Sequence, residues 1–160
     1  MIRKCALGLA IVACGWASSA MAASASGQFN VNVTLTPKCE VFSGSAATST
    51  ITNLSMAYTS FQVDPTIATT SFQVRCTKGQ SYGMALDNAS LTDGNTGLQY
   101  TLNLTSNATP ASGNNASISA VTGNGTAGQT YYVHGTIAAG QDGTLTAGSA
   151  NNGRTLTITY

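Results

Sequence analysis

The sequence predicts an all-β domain of the antiparallel sandwich or barrel type, and three observations carry that expectation. Charged residues make up 7% of the 160 positions, against roughly 25% in an average soluble domain. Threonine fills 24 positions, with Ser, Asn, Gly and Ala taking much of the rest, so strong helix formers are scarce. Apolar residues recur at every second position in several short runs, each closed by turn residues. A hydrophobic content of 42% excludes a highly charged disordered chain. The length suits one domain with a processed end.

The processed end is read as residues 1–22. Arg3 and Lys4 form a basic start, Cys5 to Ala17 an apolar stretch short for a bilayer, and Ala20-Met21-Ala22 a small-x-small site for cleavage after Ala22. Ile11-Val12-Ala13-Cys14 offers a second reading, lipidation at Cys14, which would leave a very short signal. Removal of the signal takes away the single tryptophan, Trp16, together with Cys5 and Cys14. Two cysteines remain, Cys39 and Cys76. In an exported chain they are expected to form one disulfide.

Alternation then runs along the chain. Phe29, Val31, Val33 and Leu35 share one face of a first run, which Pro37 ends because proline has no N–H for a ladder. Residues 23–36 are therefore an N-terminal extension, and residues 37–160 the domain. Phe72, Val74 and Cys76 alternate with polar neighbours, as do Tyr82, Met84 and Leu86, and then Leu98, Tyr100, Leu102 and Leu104. Tyr131, Val133 and Ile137 lie opposite Tyr132, His134 and Thr136. Leu156, Ile158 and Tyr160 close the chain between threonines. Asp93-Gly94, Asn124-Gly125, Asp142-Gly143 and Asn152-Gly153 supply turns, and 106–116 reads as a surface loop.

The same residues argue against catalysis. Beyond the signal there is one histidine, His134, and a Ser/His/acid triad needs it in reach of both partners. The acids Glu40, Asp64, Asp87, Asp93 and Asp142 are scattered, and Asp87, Asp93 and Asp142 adjoin turns where Asp serves the backbone. Neither zinc-ligand spacing nor a phosphate-binding loop with a lysine is present. No cofactor or metal is expected. Six basic and five acidic residues in the whole chain give no electrostatic footprint for nucleic acid. Without a tryptophan, a sugar-stacking platform is also disfavoured.

Several segments, in order, resemble one family. Gly27 to Val33 leads to Cys39-Glu40-Val41; Phe72-Gln73-Val74-Arg75-Cys76-Thr77-Lys78-Gly79 runs on through Tyr82 to Leu86-Asp87. Val133-His134-Gly135-Thr136-Ile137-Ala138-Ala139-Gly140-Gln141 and Thr155 to Tyr160 complete the set. Over essentially the whole exported chain it resembles the spore coat protein U family, which includes pilins of archaic chaperone–usher pathways. The family usually has an aromatic and an acid in the turn before the last strand, where this chain has Ala150 and Asn152.

The resemblance implies an incomplete immunoglobulin-like sandwich, completed by a donor strand from a periplasmic chaperone or a neighbouring subunit. An outer-membrane usher would exchange the one for the other. Phe29, Val31, Val33 and Leu35 would be the donated side chains, entering alternate pockets while the backbone adds a ladder. Leu156, Ile158 and Tyr160 would form the strand edging the groove. The implied product is a surface pilus supporting adhesion and biofilm formation. Three alternatives stay open: cis pairing of the first run within its own chain, a self-complete secreted coat protein, and a small carbohydrate-binding module.

Overall fold

The computed structural model describes residues 25–43, 46–47, 50–144 and 152–160. The expected cleavage site, Cys14 and Ala150 lie outside them. Two units separate in the chain, 1–34 and 35–160. In the first, the described residues 25–34 belong to no strand, and Phe29, Val31 and Val33 are 85%, 71% and 86% exposed. The second unit carries all the described strands, and its Leu35 is 74% exposed.

Among the described residues the second unit is all-β and contains no helix. Its strands are β1 (Cys39–Ser43), β2 (Ala46–Ala47), β3 (Thr66–Cys76), β4 (Ser81–Leu86), β5 (Ser90–Thr92), β6 (Gln99–Thr105), β7 (Ser117–Thr122), β8 (Gln129–Ile137) and β9 (Leu156–Thr159). Six of them form one sheet in the order β2-β1-β3-β8-β6-β5, and three form another, β7-β4-β9. Every pairing is antiparallel. The fold is an immunoglobulin-like β-sandwich.

Alternation explains which face each strand buries, because successive side chains point to opposite sides of a sheet. Phe72, Val74 and Cys76 from β3, Tyr100, Leu102 and Leu104 from β6, and Tyr131, Val133 and Ile137 from β8 meet Tyr82 and Met84 from β4. Each fully buried side chain of this kind contributes roughly 1.5–3 kcal/mol. Phe72 lies opposite Tyr131 in the β3–β8 register, with ring centroids 6.0 Å apart. A polar tie crosses the core. The Tyr82 hydroxyl donates to Gln129 Oε1 at 3.0 Å, so at 2.8 Å it accepts from the Tyr131 hydroxyl. Burial, then the Tyr131 neighbour, pushes Tyr82 well above the ordinary tyrosine range.

The three-stranded layer is too small to cover the six-stranded one. Residues 50–58, which form no strand, share that task. Thr70 Oγ1 donates to the Thr52 carbonyl at 2.8 Å and Thr66 Oγ1 to that of Ala57 at 3.1 Å, fastening this segment along β3. Ile51, Met56 and Tyr58 pack against the core. Gly135 is their seat, since a Cβ there would lie 2.7 Å from Leu54 Cδ2 and 3.0 Å from Met56 Sδ.

The outer face of β8, opposite Tyr131, Val133 and Ile137 in the alternation, is covered as well. His134 and Thr136 are buried at 0% and 7% exposure. The 106–116 loop is indeed irregular, but it lies across this face as a strap. The Asn107 carbonyl accepts from His134 Nε2 at 3.0 Å, so Nδ1 accepts from the Thr69 hydroxyl at 2.8 Å. That arrangement makes His134 a satisfied buried side chain.

Cys39 and Cys76 face each other in the β1–β3 register with Cα atoms 4.1 Å apart, and they are bonded. Replacing either is expected to destabilise the domain by roughly 2–5 kcal/mol, measurable as a lower denaturant midpoint. Gly123 lies against the same end. A Cβ there would stand 2.5 Å from the Thr77 carbonyl oxygen and 2.8 Å from Cys76 Cβ. Because the obstacle is backbone, Gly123→Ala should cost roughly 1–3 kcal/mol. Gly135→Ala meets only flexible side-chain ends and should cost less in the same melts.

Candidate functional site

β9 is the edge of the smaller sheet. It pairs on one side with β4, placing Ile158 opposite Met84 and Leu156 opposite Leu86. Its other side joins no described strand. Such an edge presents unpaired backbone donors and acceptors to an incoming strand. Thr157 and Thr159 point to solvent, while Leu156 and Ile158 turn inward and pack on the core. Tyr160 falls just beyond β9 and is 56% exposed.

Burial grades across this layer. Tyr82 and Met84, on the central strand, are 2% and 3% exposed. Ile118 and Val121 on β7, and Leu156 and Ile158 on β9, stay only half-buried although all pack against the core. A strand added along β9 would remove more of the apolar surface of Leu156 and Ile158 from water and pair the open backbone. Phe29, Val31, Val33 and Leu35 are the opposite case: alternating apolar side chains, strongly exposed, in a segment without a ladder. Sequence reasoning singled out both features.

The rim beside the disulfide holds a charge cluster instead. Glu40 accepts from the Lys38 ammonium at one oxygen and, at 2.7 Å, from Arg75 at the other. The Arg75 guanidinium also stands 4.5 Å above the Phe42 ring. The Lys38 hydrogen bond first, then the Arg75 one, holds the Glu40 carboxyl below its ordinary 4.5. A lowered folded-state value means stability present above the unfolded pKa and lost as pH falls through the folded one. Glu40 is solvent-accessible, so the effect on stability is small. Arg75→Met should move the Glu40 titration back toward 4.5 when followed by NMR.

Among the described residues no group of three or more His, Cys, Asp or Glu could hold a metal ion. No helix among them is long and apolar enough to cross a membrane. Asp93 takes the turn role expected of it: Oδ1 accepts from the Asn95 and Thr96 amides at 3.1 and 2.7 Å. At the departure from the family pattern, Asn152 donates to Asp93 Oδ2 at 2.6 Å. Sequence reading missed a rigid aromatic display. Phe61 is 72% exposed with a left-handed φ of 63°. Hydrogen bonds of Phe61 and Gln62 with Gln141 and Gly140 pin it there.

These features define a disulfide-bonded immunoglobulin-like sandwich with β9 at an edge of its smaller sheet. The chain belongs to the Spore Coat Protein U domain family, whose profile matches residues 25–157. No curated protein matches the chain by sequence. The family suggests an exported surface or coat protein, and the Cys39–Cys76 disulfide fits an extracytoplasmic location. Membership is also consistent with a subunit of a chaperone–usher pilus.

Proposed function

We propose that this chain is a structural, non-catalytic subunit of a surface pilus, assembled through a chaperone–usher pathway by donor-strand exchange and supporting adhesion and biofilm formation. One observation carries the reading. Alternating Phe29, Val31, Val33 and Leu35 are each at least 71% exposed and belong to no ladder. Four large apolar side chains in a row are costly to leave in water unless a partner covers them. The open edge of β9, with half-buried Leu156 and Ile158, offers the complementary half on another copy.

The partners of this reading are a periplasmic chaperone, an outer-membrane usher and neighbouring subunits. The chaperone would fill the groove first, and the next subunit's extension would replace it. Co-expression with a candidate periplasmic chaperone tests this reading. The chain should accumulate in the periplasm as a stoichiometric complex with the chaperone and be lost without it. Accumulation as a stable, soluble monomer with no chaperone would instead favour a self-complete coat protein.

A further inference from the structure

The charged side chains of the second unit sort by end. Lys38 precedes β1, Arg75 stands near the close of β3, and Lys78 sits in the turn leading to β4, so all three share the end that holds the disulfide. Glu40 is the one acid among them. Asp64 precedes β3, Asp87 follows β4, Asp93 lies between β5 and β6, and Asp142 follows β8. The register gathers these positions at the other end, since Thr66 and Tyr100 both pair with Ile137, and Leu156 pairs with Leu86. The Asn152 contact with Asp93 ties the two sheets there. Arg154 is the one base at that end, 3.6 Å from Asp87. One end of the sandwich is therefore basic and the other acidic. Asp64, Asp142 and Lys78 are exposed, and among the described residues none of them is in an ion pair.

The acidic end also carries the apolar display. Phe61 and Val63 are strongly exposed, and hydrogen bonds fix the loop that bears them. Phe61 N–H donates to the Gln141 carbonyl at 2.8 Å, Gly140 N–H to that of Gln62 at 2.9 Å, and Gln62 Nε2 to Thr66 Oγ1 at 2.9 Å. A loop already held in one conformation loses little entropy on contact.

Chain length says which surface meets it. Only Thr36, Pro37 and Lys38 separate Leu35 from β1, a span of at most about 14 Å when fully extended. On the strand-exchange reading, on which this inference rests, a donor must begin its own sandwich within that distance of where its strand leaves the groove. β9 runs from the acidic end toward the basic one. A donor laid antiparallel to it, as every described strand pair is, leaves at the acidic end. The next sandwich then starts at Cys39, on its basic end. A parallel donor would bring two basic ends together, which like charge opposes.

We propose that successive copies of this chain also dock end to end, the acidic end with Phe61 and Val63 against the basic end of the next copy with Lys38, Arg75 and Lys78. This contact is separate from the donated strand and gives the fibre a single polarity.

Carbodiimide, which condenses a carboxylate with an amine only where the two touch, tests this on purified fibres of the full exported chain. Mass spectrometry of the digest should find Asp64 or Asp142 joined to Lys38 or Lys78. Within one copy the two ends lie the length of β3 apart, roughly 35 Å, so such a link joins two copies. Asp64→Lys with Asp142→Lys should slow polymerisation about tenfold at low salt and hardly at all near ~1 M, where the screening length is about 3 Å. Adding Lys78→Glu should recover much of the rate. Phe61→Trp gives the exported chain its one tryptophan, which fibre assembly should shield from acrylamide quenching. End-to-end links missing from fibres whose residues 29–35 are protected from hydrogen exchange would overturn the docked ends and leave strand exchange standing. Links present without that protection would do the reverse. Charge reversal without effect at low salt, or a tryptophan still fully quenched in the fibre, would also contradict the end contact.

Discussion

Val33→Asp is expected to yield a folded subunit that still binds its chaperone but does not polymerise. Val33 is 86% exposed and lies outside the strand-bearing unit, so the substitution removes nothing from the core. In assembly the same position would enter a neighbour's groove. Burying an apolar side chain there contributes roughly 1.5–3 kcal/mol, while ordering each residue of the segment costs about 1–2 kcal/mol. The two are close, so ladder hydrogen bonds and a preformed groove must decide the balance. A carboxylate in that groove loses several kcal/mol of solvation and reverses it. Purified chaperone complexes mixed with the usher should give ladders on unboiled gels for the parent chain and none for Val33→Asp. Normal ladders from this variant would show that the segment is not donated.

Ile158→Asp is expected to act earlier and more severely. Ile158 turns inward from β9, opposite Met84, which is 3% exposed. A charge there is desolvated against the core of the same chain, at a cost of several kcal/mol. Small domains hold only about 5–15 kcal/mol of stability in total. The last strand should detach, and the variant should fail to accumulate even with its chaperone. Periplasmic yield, read beside that of Val33→Asp, separates a lesion in the sandwich from a lesion in assembly. Equal loss of both would mean that Val33 also belongs to the folded core.

Much of the sandwich was legible in local alternation. The cores of β4, β6, β8 and β9 and the second half of β3 follow period-2 runs that end at turn residues or at small polar ones. The cysteine pair was legible as well, since loss of the expected signal would leave Cys39 and Cys76 alone to pair. What escaped depends on distant contacts. Thr66–Ser71 extends β3 with small and β-branched residues whose inward face is covered by residues 50–58, a segment with no ladder of its own. His134 and Thr136 looked like the polar side of a strand. They are buried because a strap some 27 residues upstream lies over them, and no alternation within β8 records that. At the candidate assembly site the reverse holds, because both halves are simple runs of alternating side chains.

Hydrogen exchange of the amides in residues 29–35 separates a strand donated to the next subunit from one that is not. The segment has no ladder in the single chain, so in the chaperone complex its amides should exchange within the dead time of the experiment. In the assembled polymer they should become protected, because each strand would be hydrogen-bonded into the next subunit. Protection that appears only on polymerisation is the predicted result. Protection already present in the chaperone complex, or absent from the polymer, would contradict donor-strand exchange through this segment.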